Sequence, residues 1–155
     1  MKRKLLAILA LLIVAAGMTA VSAFDLGDIF GGASENQTVT IDGVEFNIPD
    51  GFMEEPTNTT NEITETLQQE GANISIKTYI KDSTAVGIFV FNYNDLGLNE
   101  YDVLSLFGGN ATKINNVDGF EFVDKDLSVF YYPVNESVVL ISSTDENVIG
   151  DFIIA

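Results

Sequence analysis

The chain has 155 residues, 46% of them hydrophobic, and carries seven basic residues against 23 acidic ones, a formal charge of −16. Such a charge repels nucleic-acid phosphate and anionic lipid, so no nucleic-acid partner is expected. Histidine, cysteine and tryptophan are absent, which removes imidazole and thiol chemistry, disulfides and an ordinary zinc site.

The first residues indicate a compartment. Lys2, Arg3 and Lys4 precede an unbroken apolar run from Leu5 to Ala16, and Val21-Ser22-Ala23 places small uncharged residues where a signal peptidase reads. Residues 1–23 therefore read as a secretory signal peptide cleaved after Ala23. The alternative is a leader retained as a membrane anchor, for which Leu5 to Val21 is short against ~30 Å of hydrocarbon. The expected location is secreted or cell-envelope, with membrane association only through an uncleaved leader. The leader holds three of the basic residues and none of the acids, so the mature chain sets Lys77, Lys81, Lys113 and Lys125 against 23 carboxylates, a charge of −19. A solvated acidic surface that keeps an exported protein in solution accounts for this.

Residues 24–36, opening FDLGDIFGGASE, read as a tether, and 37–155 as a single domain. In VTIDGVEFNI an Asp42-Gly43 turn pairs Ile41 with Val44 and Val39 with Phe46. Val39, Ile41, Val44, Phe46 and Ile48 then share one face, and Thr38, Thr40, Glu45 and Asn47 the other. Pro49-Asp50-Gly51 is a turn and 53–61 a polar loop. Thr59 and Glu62 have capping-box spacing, with Ile63 and Leu67 four apart and Gly71 as terminator, so a short helix is expected there.

Strands are expected at 74–80 and 86–93, joined by polar Lys81-Asp82-Ser83-Thr84. The second, VGIFVFNY, is apolar on both faces and suits a sheet centre. Asn99 caps a helix with Tyr101, Leu104 and Phe107 on one side and Gly108-Gly109 as its stop. Strands follow at 112–116, 120–123, 127–134 and 137–142. VDGFEF, residues 117–122, repeats the pattern of IDGVEF at 41–46, but a two-residue Asp118-Gly119 turn would set Asn115 opposite Phe122. A bulge or longer turn is expected around Asn115–Gly119, and that irregularity is the better place to look for function. Thr144 caps a last helix with Val148, Ile149, Phe152 and Ile153 as its buried stripe and a weakening Gly150. The expected fold is α+β: an antiparallel sheet of about 6–7 strands with two or three short helices packed on one face.

Beyond residue 23 arginine is missing too, so there is no bidentate phosphate clamp. No phosphate-binding glycine motif or serine–lysine pair occurs, and no cofactor is expected. Two chemistries survive. A carboxylate pair could hydrolyse a glycosidic bond, but 23 acids make close pairs commonplace and no tryptophan offers a sugar platform. Hard-cation binding could use Asp118, Asp124 and Asp126, or the Asn92-x-Asn94-Asp95 turn; neither fits the twelve-residue calcium loop, and solvated polar turns are the plainer reading. An aromatic cleft near Tyr93, Tyr131 and Tyr132 is a further candidate, against the plainer reading of strand aromatics as core.

Asn36, Asn58, Asn73, Asn110 and Asn135 each open an N-x-[ST] sequon. About two such sequons would arise by chance at this composition. All five fall in expected loops or element ends, where a glycan can attach, although turns also collect these residue types.

The leader, the FDLGDIFGG tether, VTIDGVEFNIPDGF and the closing VFYYPVNESVVLISSTDENVIGDFI resemble small secreted proteins of methanogenic archaea. The FNIPDGF turn that leads from the first hairpin into an antiparallel sheet is similar to that of PsbP-like and DcrB-like α+β domains. The resemblance implies an accessory or binding module and transfers no functional residue. The expected function is thus a non-catalytic secreted or cell-envelope domain with a cell-surface or extracellular partner. A cation or small-ligand module and a carboxylate-dependent hydrolase are the alternatives.

Overall fold

The computed structural model describes residues 37–54, 74–92, 94, 97, 99–124 and 126–154. The leader, the tether, the helix expected from Thr59, Tyr93, Asp95, and the sequons at Asn36, Asn58 and Asn73 lie outside the described residues.

β1 (Gln37–Ile41) and β2 (Val44–Ile48) form a two-stranded antiparallel hairpin with Val39 opposite Phe46 and Ile41 opposite Val44. Asp42 (φ 50°) and Gly43 (φ 83°) are both left-handed, the geometry that a two-residue turn between right-twisted strands requires. Its apolar face is buried or half-buried, while Thr38, Thr40 and Glu45 stand in solvent.

The main sheet has seven antiparallel strands. They are β3 (Met53–Glu54), β4 (Ile74–Lys81), β5 (Thr84–Asn92), β6 (Asn110–Ile114), β7 (Val117–Asp124), β8 (Leu127–Val134) and β9 (Ser137–Ser143), in the order β3-β4-β5-β9-β8-β7-β6. β5, apolar on both faces in sequence, is buried from Ala85 to Phe91 and lies beside the central β9.

Pairing register divides the side chains between two faces. Tyr79, Val86, Ile88, Val90, Phe130, Tyr132, Val139 and Ile141 make the first face. The β1–β2 hairpin closes over it, placing Ile41, Phe46 and Ile48 in the same core. A 3₁₀ helix (Glu146–Phe152) completes the cover. Its Phe152 meets Phe52 edge-on at 5.0 Å and Tyr79 at 6.1 Å. Phe46 and Phe152 are fully buried, each worth about 1.5–3 kcal/mol of apolar transfer. Phe46 also bridges Ile153, tying the chain's last segment to β2.

The second face carries Phe89, Phe91, Val129, Tyr131, Leu140 and, on β7, Phe120 and Phe122. Helix α1 (Glu100–Phe107) packs here through Phe107, 6.2 Å from Phe91 and 5.2 Å from Tyr131. The capping box is formed as the sequence implies: the Asp102 amide donates to Asn99 Oδ1 at 3.0 Å, and the Asn99 amide to Asp102 Oδ2 at 3.1 Å. Gly108 ends the helix, donating to the Leu104 carbonyl.

The antiparallel sheet matches expectation; four finer readings are corrected. Helix α1 and the 3₁₀ helix lie on opposite faces of the sheet rather than on one. Tyr101 is 76% exposed and takes no part in the buried side of α1. The last helix winds as 3₁₀ because Ile149 and Phe152, three residues apart, eclipse one another in that form and both reach the core. Its cap is Asp145, not Thr144; Thr144 instead exchanges hydrogen bonds with the backbone of Ala85. Gly150 fits there because a Cβ would come 3.1 Å from Ile114 Cγ2.

The fourth correction concerns VDGFEF. The turn is Asn115-Asn116 (φ 46° and 67°), with Ile114 opposite Val117 and no bulge. Asp118 and Gly119 lie within β7. Gly119 is held there because a Cβ would stand 2.5 Å from the Tyr131 carbonyl and 2.6 Å from the Phe130 ring. The close approach of the neighbouring strand β8 uses the glycine, and two asparagines, which tolerate left-handed backbone, make the turn.

Candidate functional site

One groove stands out among the described residues. It is a shallow, solvent-open depression of ≈ 590 Å³ between the β2 strand, the β6–β7 turn and the C-terminal segment, lined by Asn47, Asn115, Gly150, Asp151, Ile153 and Ile154. Asn47 faces away from the hairpin's apolar side, and its Nδ2 donates to the Asp151 carbonyl at 2.7 Å. Asn115, projected from a left-handed turn position, donates through Nδ2 to the Ile153 carbonyl at 2.6 Å. Two amides from distant elements thus clamp the closing segment as it leaves the 3₁₀ helix.

The groove's lining is polar at its rim and apolar at Ile153 and Ile154. It offers one carboxylate, the exposed Asp151. Glycosidic hydrolysis uses two carboxyl groups about 5–9.5 Å apart; among the described residues, Asp151 is the one carboxylate that lines this groove. Its amides and carboxylate can hydrogen-bond a polar or amphipathic ligand.

The sequence placed its functional interest at Asn115–Gly119, and Asn115 does line the groove. The alternation puts Asn47 on the hairpin face opposite its apolar residues, and its partner lies 104 residues away; no local signal identifies such a contact.

The three candidate metal-ligating aspartates are not brought together. Asp118 opposes Lys113 near one end of β7, with Oδ1 3.5 Å from Nζ. Asp124 lies six residues along the same strand, about 20 Å away at 3.3 Å per residue, next to the β7–β8 turn that holds Asp126. Among the described residues, no three His, Cys, Asp or Glu side chains converge. At the other proposed turn, Asn92 Oδ1 accepts from the Asn94 amide at 2.9 Å and so closes the backbone locally.

The aromatic cleft is also divided. Tyr131 and Tyr132 are adjacent in β8 and point to opposite faces, both buried. Tyr131 donates its hydroxyl to the Gly108 carbonyl, and Phe107, Phe120 and Phe122 surround its ring. Burial pushes the phenols of Tyr131 and Tyr132 up to about 12. Tyr79 reaches the same value through burial first and the nearby Glu54 carboxylate second.

Three lysines belong to the described residues, and each is engaged locally. Lys77 pairs with Glu54 at 2.8 Å, Lys113 with Asp118, and Lys81 donates to the Asp50 carbonyl at 3.1 Å with its Nζ 5.9 Å from the Phe52 ring centre. Of the described sequon asparagines, Asn110 opens β6 and Asn135 (φ 55°) sits in the β8–β9 turn; both are exposed. No helix among the described residues is long and apolar enough to cross a membrane. No protein-family model, curated protein or solved structure matches the chain.

Proposed function

We propose that this chain is a non-catalytic extracytoplasmic domain that binds another component of the cell surface or extracellular space. One observation carries the reading: beyond residue 23 the chain has no His, Cys, Trp or Arg, and the described residues give the groove a single carboxylate among amides and aliphatic groups. These groups favour recognition by hydrogen bonding and apolar contact over proton transfer or nucleophilic attack. The basic, apolar and small-residue order of residues 1–23 supports export. The kinship with small secreted archaeal proteins and with PsbP-like and DcrB-like modules belongs to the same proposal. So does a second α-helix from Thr59 to Gly71, supported by its capping-box spacing.

Cross-linking on intact cells tests the proposal. A membrane-impermeant amine-reactive reagent reaches Lys77, Lys81, Lys113 and Lys125 only on exported protein. The expected result is a covalent adduct to an envelope or extracellular component. Recovery of unmodified chain from reagent-treated cells would contradict export, and labelled chain without any adduct would contradict a bound partner.

A small ligand in the groove is the second reading, favoured by the convergence of Asn47, Asn115 and Asp151. Its cation version predicts a rise in melting temperature with added calcium that Asp151→Asn abolishes. An unchanged melting temperature at millimolar calcium would remove it.

A further inference from the structure

β6 ends the seven-stranded sheet and, among the described residues, pairs only with β7. An edge strand offers unpaired backbone donors and acceptors to any other strand, and folded proteins blunt such edges with charge, bulges or cover. β6 reads NATKI. It has no proline and no bulge, and its one charge, Lys113, is already paired with Asp118 on β7. Charge alone guards this edge weakly.

The strand does carry Asn110-Ala111-Thr112. Residues two apart in a strand share a face, so the amide of Asn110 and the hydroxyl of Thr112 project together. They share the face that the β1–β2 hairpin covers farther in, at Phe130 and Tyr132. At the Ile114 end of β6 that cover persists, Ile114 packing against the core beside Gly150, but toward Asn110 it stops. Asn110 and its partner Glu121 are both exposed, whereas Gly119, opposite Thr112, is buried under the Phe130 ring. The next residue on this face of β7 is Val123, 69% exposed, one of only three strongly exposed large hydrophobics among the described residues. The sheet thus leaves a corner with an open edge, an uncovered valine and a sequon asparagine standing beside both.

We propose that Asn110 is N-glycosylated and that its glycan shields the β6 edge and Val123 from pairing with a second copy of this chain. The inference rests on the export reading, because the donor is met on the extracytoplasmic side. Asn110 Nδ2 forms a bond to the anomeric carbon of an oligosaccharide carried on a polyprenyl phosphate or pyrophosphate. The bond from that carbon to the phosphate oxygen breaks, its electron pair leaves with the phosphate, and the amide nitrogen gives up one proton to the transferase. No electron transfer is involved. The other described sequon, at Asn135, lies in the turn between two interior strands, β8 and β9, and its sugar would protect no edge.

The test uses the full-length chain expressed in its own cells. Trypsin releases residues 82–113, which contain Asn110 as their one sequon asparagine. Glycopeptide mass spectrometry is expected to find this peptide carrying sugar in the extracytoplasmic fraction. Thr112→Ala and Asn110→Gln should each return it to the bare mass and shift the protein from monomer to dimer or larger species in light scattering at matched concentration. Thr112→Ser should keep both sugar and monomer, and Asn135→Asp should stay monomeric. Far-ultraviolet dichroism identical to the parent separates association from misfolding. A bare 82–113 peptide in exported protein overturns the inference while leaving export intact. A glycosylated parent whose Thr112→Ala variant remains monomeric overturns the shielding role. Cytosolic protein that retains residues 1–23 overturns the inference together with the export reading beneath it.

Discussion

At the scale of single residues, three buried sites make distinct demands. Gly119 is pressed against the Tyr131 carbonyl and the Phe130 ring. Gly119→Ala must displace β8 or distort β7 and should destabilise the fold by about 1–3 kcal/mol, measured by urea denaturation. The Ser142 hydroxyl is buried without a hydrogen-bond partner. Removing an orphaned polar group relieves its desolvation penalty, so Ser142→Ala should leave stability unchanged or raise it by about 1 kcal/mol. The buried phenols of Tyr79, Tyr131 and Tyr132 are raised from 10.0 to about 12. An unfolded chain releases these protons near the ordinary value, while the folded chain holds them longer. Stability is therefore full below pH 10 and drains between pH 10 and about 12. Tyrosinate absorbance and far-ultraviolet dichroism, followed together, should show these three of the chain's five tyrosines ionising only as the sheet is lost. Their full ionisation with the dichroism intact would contradict the burial described here.

At the scale of elements, the two hairpins with like sequences differ in which residues turn the chain. Asn116 has φ 67°, so Asn116→Ala should cost about 1 kcal/mol through left-handed strain. Asp118 lies in the strand, and its ion pair with Lys113 is solvent-exposed, so Asp118→Ala should change stability by less than about 0.5 kcal/mol. The reverse ranking in thermal melts would place the turn at Asp118-Gly119. The contrast also explains what could be read in advance. IDGVEF was legible because its apolar and polar faces agree across the turn, so local chemistry and burial select one register. VDGFEF misleads because the need for Gly119 arises from the Phe130 ring and Tyr131 carbonyl of β8 pressing against it, a demand from another strand with no local signature. Ile149 and Phe152 advertised a buried stripe, but a three-residue spacing suits both α and 3₁₀ winding, so the stripe alone did not select between them. Of the groove, Asn115 was marked by the clash of its expected register with Phe122. Asn47 was not, because its hydrogen bond to Asp151 joins segments that only folding brings together.

At the scale of the whole molecule, a strongly acidic chain is held by a two-sided sheet whose first face is closed by its own first hairpin and last segment. Phe46 and Phe152 occupy the middle of that closure, and either one changed to alanine should cost about 3–5 kcal/mol. The excess of carboxylates opposes this compaction. Raising sodium chloride from 0.01 M to 1 M shortens the screening length from about 30 Å to about 3 Å, and the melting temperature should rise accordingly; a fall would show that the few lysine pairs outweigh the general repulsion. The same charge, together with the residue types missing beyond position 23, underlies the reading of an exported domain that recognises rather than transforms. That reading stands first on export, and one measurement addresses it most directly: N-terminal sequencing of the protein recovered from fractionated native cells. The account predicts recovery outside the cytoplasm with Phe24 as the first residue. Recovery from the cytosol with residues 1–23 in place would contradict it.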